Sequence, residues 1–298
     1  MSGRRLLLAL PGNEGFTRRL ADHLDAQAAI VETRRFPDGE SYVRLPVDPA
    51  GRVVDLVCTL ADPDAGFLRL VFAADAAREL GATEVNLVAP YLAYMRQDCR
   101  FSPGESISSL SFARLVSCTF DRLVTVDPHL HRHHALTPLY TLHTDTLQSA
   151  PLLADWITAN IAAPLIIGPD EESEQWAGAI ASRVGAPHAV LRKIRHGDRD
   201  VEITLPDLSA WRDRQPVLVD DIVSSGRTLV VTARSLAAQG LAPPECVVVH
   251  ALFAETAMAE LAPLCRRITS TDSVPHATNG ITLASLVADA LRAPRKSS

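Results

Sequence analysis

Residues 216–229 read PVLVDDIVSSGRTL, and the prediction of the fold starts from this stretch. A short apolar run ends in two adjacent carboxylates, and a turn of small and hydroxyl residues leads into a helix-like segment. Small residues let several backbone N–H groups converge on one anion, and the N-terminus of the next helix adds positive dipole character. We therefore predict a loop that binds a phosphorylated ribose at the end of a buried β-strand.

The residues of this loop have two kinds of chemistry. Asp220 and Asp221 are suited to accept hydrogen bonds from a vicinal diol, while the turn and its hydroxyl groups hold the phosphate. A plain strand–turn–helix connection with an N-cap serine is the alternative, and two consecutive acids before a hydroxyl-rich turn argue against it. The predicted binding residues are Asp220, Asp221, Ser224, Ser225, Gly226, Arg227 and Thr228.

Short apolar runs alternate with helix-like segments along the whole chain. Predicted strands cover residues 6–10, 53–59, 84–89, 122–126, 165–168, 187–191, 217–219 and 246–251. Predicted helices cover residues 66–80, 106–117, 147–161, 173–184, 228–239 and 256–262. Such alternation implies parallel sheets covered by helices on both faces. Because the pattern runs twice, we predict two tandem doubly wound α/β domains, residues 1–145 and 146–298, with ligands at the carboxyl ends of the strands.

The composition is that of an ordinary globular protein. The 298 residues are 47% hydrophobic and 21% charged, and the net charge is −6. No stripe of basic residues interleaved with aromatics appears, which argues against a nucleic-acid partner. No run approaches the ~18 apolar residues of a membrane span, and the apolar opening is too short for a signal sequence. We therefore expect no membrane association and a cytoplasmic location.

The cysteines predict neither a disulfide framework nor a zinc site. The chain has five of them, an odd number, scattered and without a CxxC pair. Reduced thiols in the core are therefore expected.

Residues 191–198, LRKIRHGD, follow a predicted strand and contain an unusual lysine. Among 29 basic residues only Lys193 and Lys296 are lysines, and Lys296 lies in the polar tail. A compact, flexible point charge is therefore indicated at Lys193, because arginine is not its equivalent. Together with Arg195 it would place two cations on a polar loop suited to close over a polyphosphate.

Two segments of the first half are candidates for nucleotide binding. Residues 36–40 read FPDGE, and Arg96 and Gln97 belong to a polar segment that follows the predicted strand 84–89. An arginine and a glutamine amide are suited to triphosphate oxygens and an adenine edge. Simpler interpretations stay open, namely a Pro-Asp-Gly turn at 36–40 and a salt-bridged surface loop around Arg96.

A histidine-rich segment, residues 127–134 (DPHLHRHH), follows another predicted strand and suggests metal binding. A zinc site lacks cysteines or well-spaced carboxylates nearby. The alternative is that His129 contributes to a magnesium–nucleotide site, with Asp170 supplying a carboxylate for such a cation. Glu171 and Glu172 are interpreted as an acidic helix N-terminus.

Seven motifs in order resemble the ribose-phosphate diphosphokinases (phosphoribosyl pyrophosphate synthetases) over nearly the whole chain. They are FPDGE (36–40), YMRQD (94–98), VDPH (126–129), GPDEES (168–173), RKIR (192–195), VDDIVSSGRT (219–228) and TDSVPH (271–276). The stretch RFSPGESIS (100–108) is similar to the archaeal-type branch. The resemblance implies that both domains have the type I phosphoribosyltransferase fold.

The resemblance also implies an activity and assigns residues to it. The diphosphoryl group of ATP would pass to the anomeric hydroxyl of ribose 5-phosphate, giving phosphoribosyl pyrophosphate and AMP, with Mg²⁺ as cofactor. Residues 220–228 would hold the sugar phosphate, Lys193 and Arg195 would be the catalytic pair, and His129 and Asp170 would serve magnesium. A homo-oligomer, a dimer or larger, is implied as well. The residues implied in ATP binding are Phe36, Asp38, Gly39, Glu40, Arg96 and Gln97.

Three places depart from the pattern of the family, and two other functions stay open. The loop reads SSGRT (224–228) where Asp-Thr-Gly-Gly-Thr is common, Pro128 replaces a leucine, and EES (171–173) replaces small residues. One alternative is a phosphoribosyltransferase that consumes phosphoribosyl pyrophosphate, which would not need the ATP-binding segments. The other is a non-catalytic regulatory paralogue, which would be expected to lose Lys193 and Arg195.

Overall fold

The computed structural model describes residues 5–130, 135–170, 173–195, 201–204 and 206–294. By its internal contacts the chain divides into two compact units. The first runs to Leu147 and includes the segment from Leu283 onward, and the second is Gln148–Thr282. The predicted domains, residues 1–145 and 146–298, stay a prediction about independent folding units.

Each unit alternates strands and helices. In chain order the elements are β1 (Arg5–Ala9), α1 (Glu14–Leu24), β2 (Gln27–Ile30), β3 (Glu32–Arg35), β4 (Ser41–Arg44), β5 (Val53–Val57), α2 (Pro63–Glu79), β6 (Glu84–Ala89), α3 (Ser108–Thr119), β7 (Arg122–Val126), β8 (His143–Leu147), α4 (Ala150–Asn160), β9 (Pro164–Gly168), α5 (Glu174–Val184), β10 (His188–Val190), β11 (Arg192–Arg195), β12 (Val201–Thr204), β13 (Gln215–Val223), α6 (Arg227–Ala238), β14 (Glu245–Ala251), α7 (Ala257–Leu261), β15 (Arg267–Thr271), β16 (Asn279–Ile281) and α8 (Ala284–Arg292).

The first unit is built on a six-stranded sheet of order β2-β1-β5-β6-β7-β8. All five pairings are parallel. Its inner strands are nearly continuous buried apolar runs, as expected where helices cover both faces of a parallel sheet. A separate antiparallel hairpin, β3–β4, follows the edge strand β2.

The second unit repeats this plan. Its sheet has the order β10-β9-β13-β14-β15-β16, again with every pairing parallel. A hairpin, β11–β12, follows the edge strand β10 just as β3–β4 follows β2. The prediction of doubly wound, mainly parallel α/β architecture is therefore confirmed.

The eight predicted strands and six predicted helices are all present, with small shifts at their ends. The strands that were not predicted are the edge or hairpin strands β2, β3, β4, β8, β11, β12 and β16 and one inner strand, β15. The helix that was not predicted is α1, and α8 is the final helix that follows the TDSVPH motif. β2, for example, has the sequence QAAI and is largely exposed, so it lacks the apolar run on which the prediction relied. Within the residues that the structure describes, no helix combines the length and apolarity that crossing a membrane requires.

A row of buried polar side chains attaches α8 to the first unit. The fully buried Asp55 accepts hydrogen bonds from Arg5 at 2.5 Å and from Asn86 at 2.9 Å. Arg5 and Arg122 also donate to main-chain oxygens in the last turn of α8, at 3.1 and 2.8 Å. Cations at a helix C-terminus satisfy its unpaired carbonyl groups and oppose its dipole. This explains why the last helix belongs to the first unit.

Candidate active site

The two carboxylates of the DDIVSSGRT motif lie inside β13. The strand was predicted over residues 217–219 with the two carboxylates at its end, but β13 continues beyond them to Val223. The extension is held by parallel pairing with β14, where Ile222 is opposite His250 and Val223 opposite Ala251. Asp220 and Asp221 are therefore half-buried and have the fixed backbone of a central strand.

The turn after β13 presents an open helix N-terminus. Gly226 is the N-cap residue of α6 and has a left-handed φ of 67°, where a Cβ atom would also lie 3.4 Å from the Cβ of Ala257. Within the described part of the chain, no side chain caps this helix. Its first N–H groups, together with the hydroxyl groups of Ser224, Ser225 and Thr228, form the kind of site that binds a phosphate.

The far side of this turn rests on the segment that follows β14. Main-chain N–H groups of Leu252 and Ala254 donate to the oxygens of Val223 and Ser224, both at 3.0 Å. The next side chain, Phe253, stacks on the imidazole of His276 at 5.0 Å between ring centroids. The loop is thus supported by two neighbouring strands.

His276 belongs to the TDSVPH motif, to which the sequence analysis gave no role. Its Nδ1 accepts the backbone N–H of Thr278 at 3.2 Å, which puts the proton of the neutral ring on Nε2. Partial burial lowers the pKa of His276, so the neutral ring is favoured. The signal that could have identified this residue is its place after the end of a strand, here β15.

Three carboxylates are close enough to affect one another in the second unit. Burial raises the pKa of Asp220 well above its usual value, and the negative charges of Asp221 and Asp170 raise it further. Asp170 follows β9 and accepts the backbone N–H of Ser173 at 3.1 Å. This tight turn requires Gly168, since a Cβ atom there would come within 2.4 Å of the Ser173 hydroxyl oxygen. Carboxylates that repel one another favour a bound cation.

Among the described residues, no group of three or more histidine, cysteine or acidic side chains is arranged as a metal site. Mg²⁺ seldom needs such a cage, because it is usually bound by one or two carboxylates, water and substrate phosphates. His129 follows β7 in the first unit and is half-buried. The other three histidines of its segment, and the predicted acidic helix start at Glu171 and Glu172, lie outside the described residues.

Lys193 and Arg195 both belong to β11. A polar loop was predicted here, but the backbone pairs antiparallel with β12, with Lys193 opposite Ile203 and Arg195 opposite Val201. Backbone pairing replaces the loop because residues 201–204 supply a second short strand. The two cations therefore lie on a hairpin arm at the carboxyl end of β10.

Residues 36–40 form the turn of the β3–β4 hairpin, which agrees with the simpler interpretation of a Pro-Asp-Gly turn. The N–H of Phe36 donates to the oxygen of Glu40 at 2.8 Å, and the N–H of Glu40 to the Asp38 carboxylate at 3.1 Å. Every residue of the turn is exposed, and the Arg34 guanidinium lies 4.5 Å from the centroid of the Phe36 ring. An exposed aromatic ring, two carboxylates and a cation are thus available to a ligand.

Arg96 and Gln97 lie in the long loop between β6 and α3. The side-chain oxygen of Gln97 accepts the Ser108 hydroxyl at 3.2 Å, whereas Arg96 is exposed. The Glu105 carboxylate accepts the N–H groups of Phe101 and Ser102 at 2.7 and 3.0 Å, and these bonds lower its pKa. These hydrogen bonds hold the loop at its base and at its tip. The exposed Arg96 side chain takes part in none of them.

The sheet order relates these segments of the first unit to one another. The loop that carries Arg96 and the segment that carries His129 leave β6 and β7, which are neighbours. The 36–40 hairpin follows β2, three strands from β6, which corresponds to about 14 Å at the usual strand spacing. All of them leave the carboxyl-terminal edge of the sheet, but only the first two leave adjacent strands.

Each of the two units matches a known protein domain. A model of the N-terminal domain of ribose phosphate pyrophosphokinase matches residues 6–119, and one of the phosphoribosyl transferase domain matches residues 147–285. The structure of phosphoribosylpyrophosphate synthetase from Mycobacterium smegmatis covers 97% of this chain and 98% of its own, with a TM-score of 0.84. At 21% identity this similarity shows the fold.

Sequence relatives connect the fold to a family. A ribose-phosphate pyrophosphokinase of Methanopyrus kandleri is 38% identical over 291 residues, which are 96% of this chain and 98% of the relative. Another, of Halobacterium salinarum, is 30% identical over 293 residues, which are 96% of this chain and 100% of the relative. Both relatives are archaeal, as the RFSPGESIS stretch led us to expect. With the loops of both units in their predicted order along the chain, we conclude that the chain belongs to the ribose-phosphate pyrophosphokinase family.

Proposed function

We propose that this protein transfers the diphosphoryl group of ATP to the anomeric hydroxyl of ribose 5-phosphate, producing phosphoribosyl pyrophosphate and AMP. The observation that supports this most directly is the β13–α6 connection, where two carboxylates precede an uncapped helix N-terminus. That connection accounts for the sugar phosphate. The polar segments of the first unit, in a chain of this family, account for the nucleotide.

Ribose 5-phosphate would be held by two chemically different halves of one loop. The N–H groups at the start of α6 and the hydroxyl groups of Ser224, Ser225 and Thr228 would donate to the phosphate. Asp220 and Asp221 would accept from the ribose hydroxyl groups. Because Asp220 and Asp221 are part of a paired strand, their carboxylates would be held in place before the sugar binds.

The residues of the second unit fit a magnesium ion. Carboxylate oxygens are the ligands that Mg²⁺ prefers. Burial and the charges of Asp221 and Asp170 raise the pKa of Asp220, and a divalent cation would relieve the repulsion among these carboxylates. Asp170 would supply a carboxylate ligand, with water and substrate phosphates completing the coordination. His129, in the first unit, is the other residue that the family resemblance assigns to magnesium. When bound, Mg²⁺ supplies charge neutralisation and orientation to the polyphosphate.

ATP would be bound by the two polar segments of the first unit. Phe36 offers a ring face to the base, and Arg96 and Gln97 offer donors to phosphate oxygens and the base edge. The further members of this proposed set are Asp38, Gly39 and Glu40. Lys193 and Arg195, on the β11–β12 hairpin, would stabilise the negative charge that develops on the transferred group and on departing AMP.

No described residue is an evident general base for the anomeric hydroxyl. Alignment of the two substrates and stabilisation of charge would therefore provide most of the rate enhancement. We also propose, as the family resemblance implies, a homo-oligomeric cytoplasmic enzyme that requires neither nucleic acid nor membrane.

The direct test is to incubate the purified protein with Mg-ATP and ribose 5-phosphate and to follow the products by ³¹P NMR. We expect AMP and phosphoribosyl pyrophosphate in equal amounts. AMP production no higher than in a control without the sugar would reject the proposal. A phosphoribosyltransferase would instead release pyrophosphate from phosphoribosyl pyrophosphate and a nucleobase, and a regulatory paralogue would do neither.

A second substrate tests the role of the carboxylates. If Asp220 and Asp221 accept from the ribose diol, 2-deoxyribose 5-phosphate should react with a kcat/KM lower by at least about 10²-fold, because it leaves a buried acceptor unpaired. Equal use of both sugars would show that the loop recognises only the phosphate. Arg227→Ser, which removes the exposed cation that departs from the family pattern, is the matched variant and should retain the preference for ribose.

A further inference from the structure

Two cysteines that are distant in sequence are neighbours in the second unit. The Sγ atoms of Cys246 and Cys265 lie 3.4 Å apart, within hydrogen-bonding distance. Cys246 is in β14, and Cys265 comes just before β15, which pairs with β14. All five cysteines of the chain are free thiols, so this contact joins two reduced groups. It is the parallel pairing of the two strands that brings them together.

The backbone around this pair is firmly held. The N–H of Arg266, next to Cys265, donates to the oxygen of Pro244, two residues before Cys246, at 2.8 Å. The side chain of Arg267 donates twice to the Glu245 carboxylate, at 2.9 and 2.6 Å. Cys246 lies opposite Ile268 in the β14–β15 pairing, so the backbone near both sulfur atoms is held in place by the sheet.

The two thiols differ in access and in acidity. Cys246 is fully buried in the core of the unit, whereas Cys265 is partly exposed. The hydrogen bond with Cys265, together with burial, raises the pKa of Cys246, and the same bond lowers the pKa of Cys265. The sulfur that forms a thiolate more readily is therefore the one that solvent reaches.

We propose that Cys246 and Cys265 are a redox modification site that forms a reversible intramolecular disulfide on reaction with a peroxide. The sulfur atoms need only approach from 3.4 Å to the S–S bond length of about 2.05 Å, which is a small movement for side chains already in contact. The outer sulfur reacts first, and the inner one completes the bond.

Hydrogen peroxide oxidises the two thiols in two steps. The Cys265 thiolate attacks one oxygen of hydrogen peroxide, the O–O bond breaks, and the hydroxide that leaves takes up a proton to become water. This leaves a sulfenic acid on Cys265. The Cys246 sulfur then attacks the Cys265 sulfur, the S–O bond breaks, and a second water is released. Two thiols are oxidised to one disulfide while one peroxide is reduced to two waters.

The other cysteines are not arranged for this reaction. Within the described residues no other pair of cysteine sulfur atoms is in contact. Cys58 is buried, and burial raises its pKa to about 12, so it forms a thiolate poorly. Cys118 is exposed and would give cross-links between chains rather than within one. Cys99 is partly exposed.

The experiment treats the full-length protein with hydrogen peroxide, alkylates the remaining thiols after unfolding, and measures intact and peptide masses. We expect a monomer that has lost two hydrogen atoms and two alkylation sites, a linked peptide pair containing Cys246 and Cys265, and full reversal by dithiothreitol. The wild-type protein is measured first. Cys118→Ser is measured beside it, so that a cross-link between chains through Cys118 can be recognised. This readout does not depend on enzymatic activity, so it is separate from the test of the proposed function.

Two variants test the order of the steps. In Cys246→Ala the second step is lost, and a cyclic 1,3-diketone probe should trap a sulfenic acid on Cys265. In Cys265→Ser the remaining Cys246 should stay unmodified by peroxide. If the wild-type protein keeps both thiols while Cys99 is oxidised, or if Cys265 gains oxygen atoms without ever forming the linked peptide, the proposal is wrong. The wild-type measurement decides the matter even if a variant fails to fold.

Discussion

The two units share one strand order but use their carboxylates in opposite ways. In the first sheet Asp55 lies in the middle of β5, fully buried, with Arg5 and Asn86 as hydrogen-bond donors. In the second, Asp220 lies towards the end of β13, and the charges that act on it are those of two further acids. The first arrangement stabilises the fold, whereas the second tolerates repulsion that a ligand can relieve. The same scaffold therefore gives a carboxylate that is paired with donors or one that is repelled by other acids, depending on its neighbours.

The connections after β5 and β13 differ in the same sense. The helix after β5, α2, begins with two acidic residues, Asp62 as its N-cap and Asp64 in its first turn. In the same connection the N–H of Thr59 already donates to the side-chain oxygen of Asn13 at 2.7 Å. The helix after β13, α6, follows two serines and a glycine and has no acid in its first turn. The acids at the start of α2 disfavour an anion there, whereas the start of α6 is where we propose that the phosphate binds.

The largest expected effect concerns Lys193. Lys193→Ala should lower kcat by at least about 10²-fold, because it removes a cation that stabilises charge in the transition state. Steady-state rates of AMP formation test this, with Arg183→Ala as a control on an exposed ion pair outside the hairpin. A kcat within about threefold of the wild-type value would show that the β11–β12 hairpin serves another purpose.

Asp55→Ala should lower the free energy of unfolding by about 3 kcal/mol, because it leaves the buried Asn86 and the cation of Arg5 without their acceptor. Urea denaturation measures the change. Asp75→Ala, on the exposed side of α2, should change it by less than about 0.5 kcal/mol. Equal effects of the two substitutions would contradict a structural role for Asp55.

Gly226→Ala should raise the KM for ribose 5-phosphate about tenfold, because a side chain at this left-handed position strains the turn and approaches Ala257. Gly185→Ala is the matched control, since Gly185 has nearly the same φ, 70° against 67°, at the C-terminus of α5 with open space around it. Both substitutions should cost similar stability, but only the first should affect KM. A KM change in both would point to general loosening of the unit.

The smallest effect concerns stability and pH. The pKa of Asp220 is raised in the folded protein, so the folded state holds this proton more tightly than the unfolded state. Stability should therefore fall as pH rises above the unfolded value of about 4 and through the raised folded pKa. Asp220→Asn removes this dependence and should be more stable at pH 7, by about 0.5–1 kcal/mol, while losing activity. Thermal unfolding between pH 4 and 8 measures it, and a variant less stable than wild type at pH 7 would contradict the prediction.

Much of the fold was predictable from local pattern. Buried parallel strands are continuous apolar runs, so β6 and β7 were predicted with their observed bounds. Gly81 and Gly240 lie where the apolar pattern of a helix ends, and they have positive φ angles of 91° and 77° just after α2 and α6. Edge and hairpin strands such as β2 were not predicted, because half-exposed segments carry no apolar run and depend on a partner for pairing.

For the candidate site, the sequence predicted which chemical groups are present but not how they are arranged in space. The DDIVSSGRT residues and the hairpin cations were identified by residue type, but that Asp220 and Asp221 belong to a strand depends on pairing with β14. The roles of Asp55 and His276 were missed, since each depends on groups far away in sequence.

The sequence by itself therefore determined the doubly wound α/β architecture and the chemical groups offered to a ligand, because periodicity and residue type are local properties. Only the tertiary structure decided which carboxylates are paired with arginines and which repel one another. It also decided that Cys246 and Cys265 are in contact. These outcomes depend on the order and register of strands that are distant in the chain, and no local pattern encodes them.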